Sequence, residues 1–154
     1  MKNGLFRLLN LLRRTLQRLM GFATLGVKAL IIDAAGRVLL VEHTYIEGWH
    51  LPGGGVAIGE NPKTAVIREI REETGLVVVG EPALFSVYTH KTHGASDYPI
   101  LYVVRQFSIQ PKQPCHEIKQ IGWFALDQLP ATLTPSTQER LKEVIEGLPP
   151  SPNW

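Results

Sequence analysis

The sequence predicts a single α/β domain, with helices packed on a mixed β-sheet. Six short β-branched and aliphatic runs read as strands, and two segments between them carry ordinary helix start and stop signals. There is no internal repeat and no linker long enough to divide the chain. With 44% hydrophobic and 19% charged residues, the 154-residue chain has ordinary globular composition. A chain of this length buries about two-thirds of its extended surface in one core.

The elements follow in order. Over residues 1–22, Leu5, Leu8, Leu9, Leu12, Leu16, Leu19 and Met20 recur at helical spacing, with Arg7, Arg14 and Arg18 on the opposite face. This predicts an N-terminal amphipathic, basic helix. Its leucine face has two outlets, packing on its own domain or a second copy as a homodimer, and peripheral contact with the inner face of a membrane. The segment falls short of the roughly 20 apolar residues that cross a bilayer and has no signal-peptide cleavage site. A transit peptide fits less well, because the segment is Arg-rich and acid-free but contains no Ser.

From Thr24 the period changes. Leu25 to Ile32 and Val38 to Val41 read as two strands joined by the turn Asp33-Ala34-Ala35-Gly36. A polar, aromatic loop from Tyr45 to His50 leads to Pro52-Gly53-Gly54-Gly55. Asn61 as N-cap, Pro62 in the first turn and Gly75 as terminator predict a helix over 62–74. Further strands are expected over Leu76 to Val79, Ala83 to Tyr88, Ile100 to Ile109 and Ile118 to Ala125, and His90 to Asp97 reads as a loop. Ser136 and Glu139 have capping-box spacing and start a last helix, which runs to about Gly147, before a Pro-rich tail over 149–154.

Sixteen basic residues against fourteen acidic ones leave a formal charge of +2, which excludes a strongly basic nucleic-acid protein. The balance is uneven: residues 1–32, with Lys2, Arg7, Arg13, Arg14, Arg18 and Lys28, hold +6, and the remainder holds −4. One cysteine, Cys115, removes any intramolecular disulfide framework and any Cys-based zinc cluster, and fits the cytoplasm. It has no catalytic partner in the sequence and reads as an ordinary thiol.

Chemistry concentrates in the predicted helix. Glu69, Glu72 and Glu73 stand at i, i+3 and i+4, which places three carboxylates on one helical face, neighbours about 5–6 Å apart. Such charges repel, so their pKa values rise unless a cation sits among them. Carboxylate oxygens without His or Cys suit Mg²⁺ or Mn²⁺ more than zinc. On the helix alone the same residues also read as a solvated acidic stripe paired to Arg68 and Arg71. The glycines just upstream, whose backbone can approach a metal or phosphate closely, favour a metal-dependent phosphate site. His43, His50, His90, His93 and His116 lack compact ligand spacing and read as loop or surface residues. Tyr45, Trp49, Tyr88 and Tyr98 read as core or rim packing.

Residues 54–76 resemble the box of the Nudix hydrolases, G-x5-E-x7-R-E-U-x-E-E-x-G-U with U aliphatic. Gly54, Glu60, Arg68, Glu69, Ile70, Glu72, Glu73, Gly75 and Leu76 fill all nine specified positions. The flanking Trp49-His50-Leu51-Pro52-Gly53-Gly54 and Trp123-Phe124 before Leu129-Pro130 are also similar to the family. The resemblance implies a Nudix domain over 23–148 with a Nudix-type α/β/α sandwich. It also implies Mg²⁺- or Mn²⁺-dependent hydrolysis of a nucleoside diphosphate-linked small molecule, water attacking phosphorus. By the same resemblance Glu69, Glu72, Glu73 and the Gly53 carbonyl are metal ligands. Arg68 orients a catalytic glutamate, Glu60 plays a supporting structural role, and Glu117 is a further metal-binding or water-activating residue. The general base stays open between Glu69 and Glu117.

The sequence lacks the Ser-Gln-Pro-Trp-type array of NADH-specific members and the Leu-Leu-Thr-x-Arg pattern of coenzyme A members. Lys91-Thr92-His93-Gly94 stands where members acting on ADP-ribose or dinucleoside polyphosphates carry a proline or tyrosine. Nucleoside triphosphates and nucleotide sugars both remain. The alternative, a nucleotide-binding regulator without turnover, is expected to have lost a box carboxylate, and this chain retains them all.

Overall fold

The computed structural model describes residues 23–92, 95–110 and 115–154, so the helix expected over 1–22 lies outside the described residues. The described elements are, in order, β1 (Thr24–Ile31), β2 (Val38–His43), β3 (Trp49–His50), α1 (Pro62–Thr74), β4 (Leu76–Val78), β5 (Ala83–Val87), β6 (His90–Thr92), β7 (Ala95–Val104), β8 (Phe107–Ile109), β9 (Ile118–Phe124) and α2 (Pro135–Glu146).

The alternation of β1 sorts two cores. Val27, Ala29 and Ile31 point to one side, where they meet Ala65, Val66 and Ile70 of α1. Leu30 and Ile32 point to the other, where they meet Tyr88 and Leu141 of α2. In β2, Leu39 joins the first core and Val38 and Leu40 the second. Strands thus lie between two helices, each covering one face, as expected of an α/β/α sandwich. The sheets are mixed: β1 runs parallel to β7, whose other edge pairs antiparallel with β5 and β6. A second sheet orders β3-β2-β9, all antiparallel, and β4 pairs with β8.

Helix α1 begins and ends where its caps place it. The Asn61 side chain accepts from Lys63 N at 2.9 Å, and Gly75, left-handed at φ 76°, donates its N–H to Arg71 O at 3.0 Å. Its buried face consists of Ala65, Val66, Ile70 and Glu73.

Three expectations are corrected. Helix α2 has Thr134, not Ser136, at its N-cap with Pro135 in its first turn; unlike Asn61, Thr134 accepts no helix N–H through its side chain, which donates to Thr137 Oγ1 at 2.8 Å. The polar stretch His90 to Asp97 is not a plain loop: its ends pair as a hairpin, His90 with Asp97 and Thr92 with Ala95, because backbone pairing extends the β7 ladder whatever the side chains. The run Ile100 to Ile109 is two strands, broken at Arg105-Gln106 where the chain leaves β7 to pair with β4.

The tail docks on the second core. Thr89 N donates to Pro152 O, Trp154 N donates to Thr89 O, and the Trp154 ring stands edge-on to Tyr88 at 5.3 Å. Among the described residues no helix is long and apolar enough to cross a membrane.

Candidate active site

The glycine loop runs alongside β1 as an added edge. Val27 N donates to Gly54 O at 2.9 Å, Ala29 N to Pro52 O at 2.9 Å, and Val56 N to Leu25 O at 3.0 Å. Gly53 has φ 138°, and a Cβ there would run into the Val27 carbonyl oxygen, so only glycine fits. Its N–H points away from β1 and donates to Glu73 Oε2 at 2.8 Å. Gly54 makes room for a second box residue, since a Cβ on it would meet the Glu69 carboxylate at 2.5 Å. The loop and α1 are therefore fitted to each other through two carboxylates.

Those carboxylates are not equivalent. Glu73 lies on the apolar stripe of α1, three residues after Ile70, and is 5% exposed. Burial pushes its carboxyl up to about 7, against the pull of the Lys28 ammonium and the Gly53 N–H. Glu69 is covered less deeply and is also pushed up, first by burial. The Glu72 side chain is 57% exposed. The three carboxylates thus differ in depth: a 100° step per residue turns Glu72 toward solvent while Glu73 goes inward.

Arg68 ties the arrangement to the loop. Its Nε and Nη2 donate to the two oxygens of Glu60, each at 2.9 Å, and Nη1 donates to Glu69 Oε1 at 2.7 Å. Nη2 also reaches Gly55 O at 3.1 Å, and Nη1 reaches Glu72 Oε2 at 3.4 Å. Glu60 in turn accepts from Ala57 N at 2.9 Å, and the Arg68 contact holds its carboxyl down to about 2. A box glutamate fourteen residues before α1 ends is thus joined to the helix by a two-pronged clasp.

Glu117 sits on the bend before β9 with its carbonyl accepting from Thr44 N at 2.9 Å, and its charge reaches both Glu73 and Tyr45. Burial, with Glu117, Glu73 and Glu69 adding, pushes the Tyr45 hydroxyl up to about 12. Among the described residues no three His, Cys, Asp or Glu side chains stand close enough together to hold an ion as they are.

Comparison with known proteins decides the family. A model of the NUDIX domain matches residues 23–146. The chain belongs to the Nudix family. It is 40% identical over 124 residues to a putative 8-oxo-dGTP diphosphatase of Bacillus subtilis, covering 80% of this chain and 81% of that protein. An RNA pyrophosphohydrolase of Hydrogenovibrio crunogenus is 36% identical over 105 residues, covering 68% of this chain and 58% of that one. The crystal structure of a MutT NUDIX hydrolase from Burkholderia pseudomallei superposes with a TM-score of 0.70 at 34% identity, covering 80% and 98% of the two chains. The Nudix protein described here is a hydrolase of phosphorus-containing anhydrides, of the pyrophosphohydrolase class.

Nudix hydrolases generally need a divalent metal, and the residues present fit one. Glu69, Glu72, Glu73, Glu117 and the Gly53 carbonyl are all oxygen donors. Glu73 is a buried carboxyl with, among the described residues, a single hydrogen-bond donor and a raised pKa, the condition that a bound cation relieves.

Two residues that sequence reasoning did not single out stand in this Nudix site. His43, expected at the surface, is 6% exposed at the end of β2, with Nδ1 4.0 Å from Glu73 Oε1. Among the described residues that nitrogen has no hydrogen-bond partner, and burial pushes the ring down to about 4, so it is uncharged near neutral pH. Lys28, on β1, donates through Nζ to Leu51 O at 3.2 Å and Gly53 O at 3.0 Å, and burial pushes its ammonium down. The available signal was one cation inside the otherwise apolar run Leu25 to Ile32. Trp49 and Tyr88 pack as expected, Trp49 against Phe124 at 4.8 Å and Tyr88 inside the second core.

Proposed function

We propose that this Nudix protein hydrolyses the diphosphate linkage of a nucleoside diphosphate derivative, a nucleoside triphosphate or a nucleotide sugar, in a reaction that depends on Mg²⁺ or Mn²⁺. The observation that carries the reading is Glu73, a covered carboxylate on the box helix that shares the Gly53 peptide with the glycine loop. The names of the two relatives, a diphosphatase and a pyrophosphohydrolase, support it.

In this reading Glu69, Glu72, Glu73, Glu117 and the Gly53 carbonyl hold the ion. When bound, it neutralises charge developing on the phosphoryl oxygens and lowers the pKa of the attacking water. Arg68 fixes Glu69 on one side and is itself fixed by Glu60, so that carboxylate presents one oxygen in a set direction. Glu69 or Glu117 takes the proton of the attacking water as it adds to phosphorus, and the nucleotide or sugar phosphate leaves. The catalytic unit spans 23–148 and works in the cytoplasm.

A panel of nucleoside diphosphate derivatives, assayed with Mg²⁺ and with Mn²⁺ through phosphatase-coupled phosphate release, tests the reading. Turnover of at least one member, abolished by EDTA, is expected. No turnover of any member with either ion overturns it.

A further inference from the structure

Lys28 is the least expected residue of β1. Its neighbours Val27 and Ala29 are fully buried, and an ammonium on such a strand is costly unless it finds partners. It finds two carbonyl oxygens, Leu51 O and Gly53 O, rather than a carboxylate. The negative charge that stabilises it comes through space from Glu73 and Glu69 of α1 and from Asp97 of β7. Asp97 is itself held by Thr24 Oγ1 at 2.6 Å. The ammonium therefore sits among the same donors that the proposed function gives to the divalent ion, and on one of them, the Gly53 carbonyl, directly.

Two cations compete for one carbonyl. A lysine has a flexible four-carbon stem and three donors, so it can give up the carbonyl and turn to another acceptor without moving its strand. A polyphosphate brings such acceptors into the site together with its own negative charge. We propose that Lys28 is a built-in counter-cation of this site. It occupies the Gly53 carbonyl before the divalent ion binds, and its ammonium then passes to a phosphate oxygen of the nucleoside polyphosphate. Metal and substrate binding are thereby coupled through one side chain. The inference rests on the proposed function and adds to it a phosphate-binding residue outside the box.

Calorimetric titration of the full chain with Mn²⁺ alone tests it, alongside KM for the best substrate of the panel. Lys28→Met is expected to bind Mn²⁺ about fivefold more tightly than wild type, because the competitor is gone, while KM rises about fivefold or more. Lys28→Gln, which keeps a donor for the two carbonyls without the charge, shifts both in the same direction and guards against a folding defect in the methionine variant. Lys28→Arg restores most of the KM. A purely structural lysine predicts a lower melting temperature with Mn²⁺ affinity unchanged or weakened in both neutral variants, and that result overturns the inference alone. A wild-type protein that binds no Mn²⁺ overturns the proposed function, and the inference with it.

Discussion

Glu73 and Glu143 are helix glutamates of nearly equal burial, 5% and 6% exposed, one on each side of the sheet. Glu143 on α2 is saturated: it accepts from Arg140 Nη2 at 2.8 Å, Tyr88 OH at 2.7 Å and Ser151 N at 2.8 Å. Glu73 on α1 accepts from Gly53 N at 2.8 Å, and its other oxygen faces an uncharged imidazole 4.0 Å away. A buried charge with three donors is a clamp, here fastening the tail to α2. A buried charge with one donor is left wanting a cation, and it lies in the box that defines the family. The second core can be understood as stability alone, whereas the first carries a cost that the proposed ion would relieve.

The largest expected effect breaks the clamp. Arg140 is fully buried, with its guanidinium 4.3 Å over the Tyr88 ring and Nη1 donating to Asn153 O at 3.0 Å. Arg140→Met leaves Glu143 charged and uncompensated, and should cost about 3–5 kcal/mol in urea unfolding. Turnover per folded molecule should be unchanged; a loss of activity without a loss of stability would reverse the assignment of the two cores.

Next is the response of the metal-free protein to pH. The Glu73 carboxyl is raised from 4.5 to about 7, so between those values the folded state keeps a proton that the unfolded chain has released. Its contribution to stability therefore falls as pH rises through that window. Melting in EDTA from pH 5 to 8 should show this decline, and Glu73→Gln should flatten it. Mg²⁺ at about a hundred times its Kd should return about 2.7 kcal/mol at the alkaline end. A wild-type slope identical to that of the variant would show that Glu73 carries no such strain.

The smallest effect concerns the clasp. Glu60 is held down to about 2 by Arg68, so its contribution is present above the ordinary 4.5 and is lost as pH falls toward 2. Glu60→Gln should remove that acid limb from the melting profile with little change at neutral pH, and lower turnover by freeing Arg68 from the loop. Retained turnover would mean that Glu69 is positioned without the clasp.

What could be read from the residues follows the range of the forces involved. Helix α1 was legible to the residue because Asn61, Pro62 and Gly75 act on their nearest neighbours. The nine box positions were legible because their spacing is itself the signal. The burial of Glu73 and the place of Lys28 were not, since both depend on Leu51–Gly54 lying beside β1, a contact made across more than twenty residues. The hairpin at His90 escaped for a similar reason: polar side chains carry no periodicity, and its strands exist because β7 offers a free ladder. Thr134-Pro135 was a legible cap that the nearby Ser136–Glu139 spacing outweighed.

The central claim is that the under-satisfied glutamate works on substrate and the saturated one does not. Measuring Mg²⁺-dependent turnover of the best panel substrate by Glu73→Gln and Glu143→Gln, each below its melting midpoint, compares them directly. The account predicts that Glu73→Gln loses about a thousandfold or more, roughly 4 kcal/mol of barrier, while melting no lower than wild type in EDTA. Glu143→Gln should melt lower and turn over substrate at the wild-type rate. Near wild-type turnover by Glu73→Gln would contradict the account.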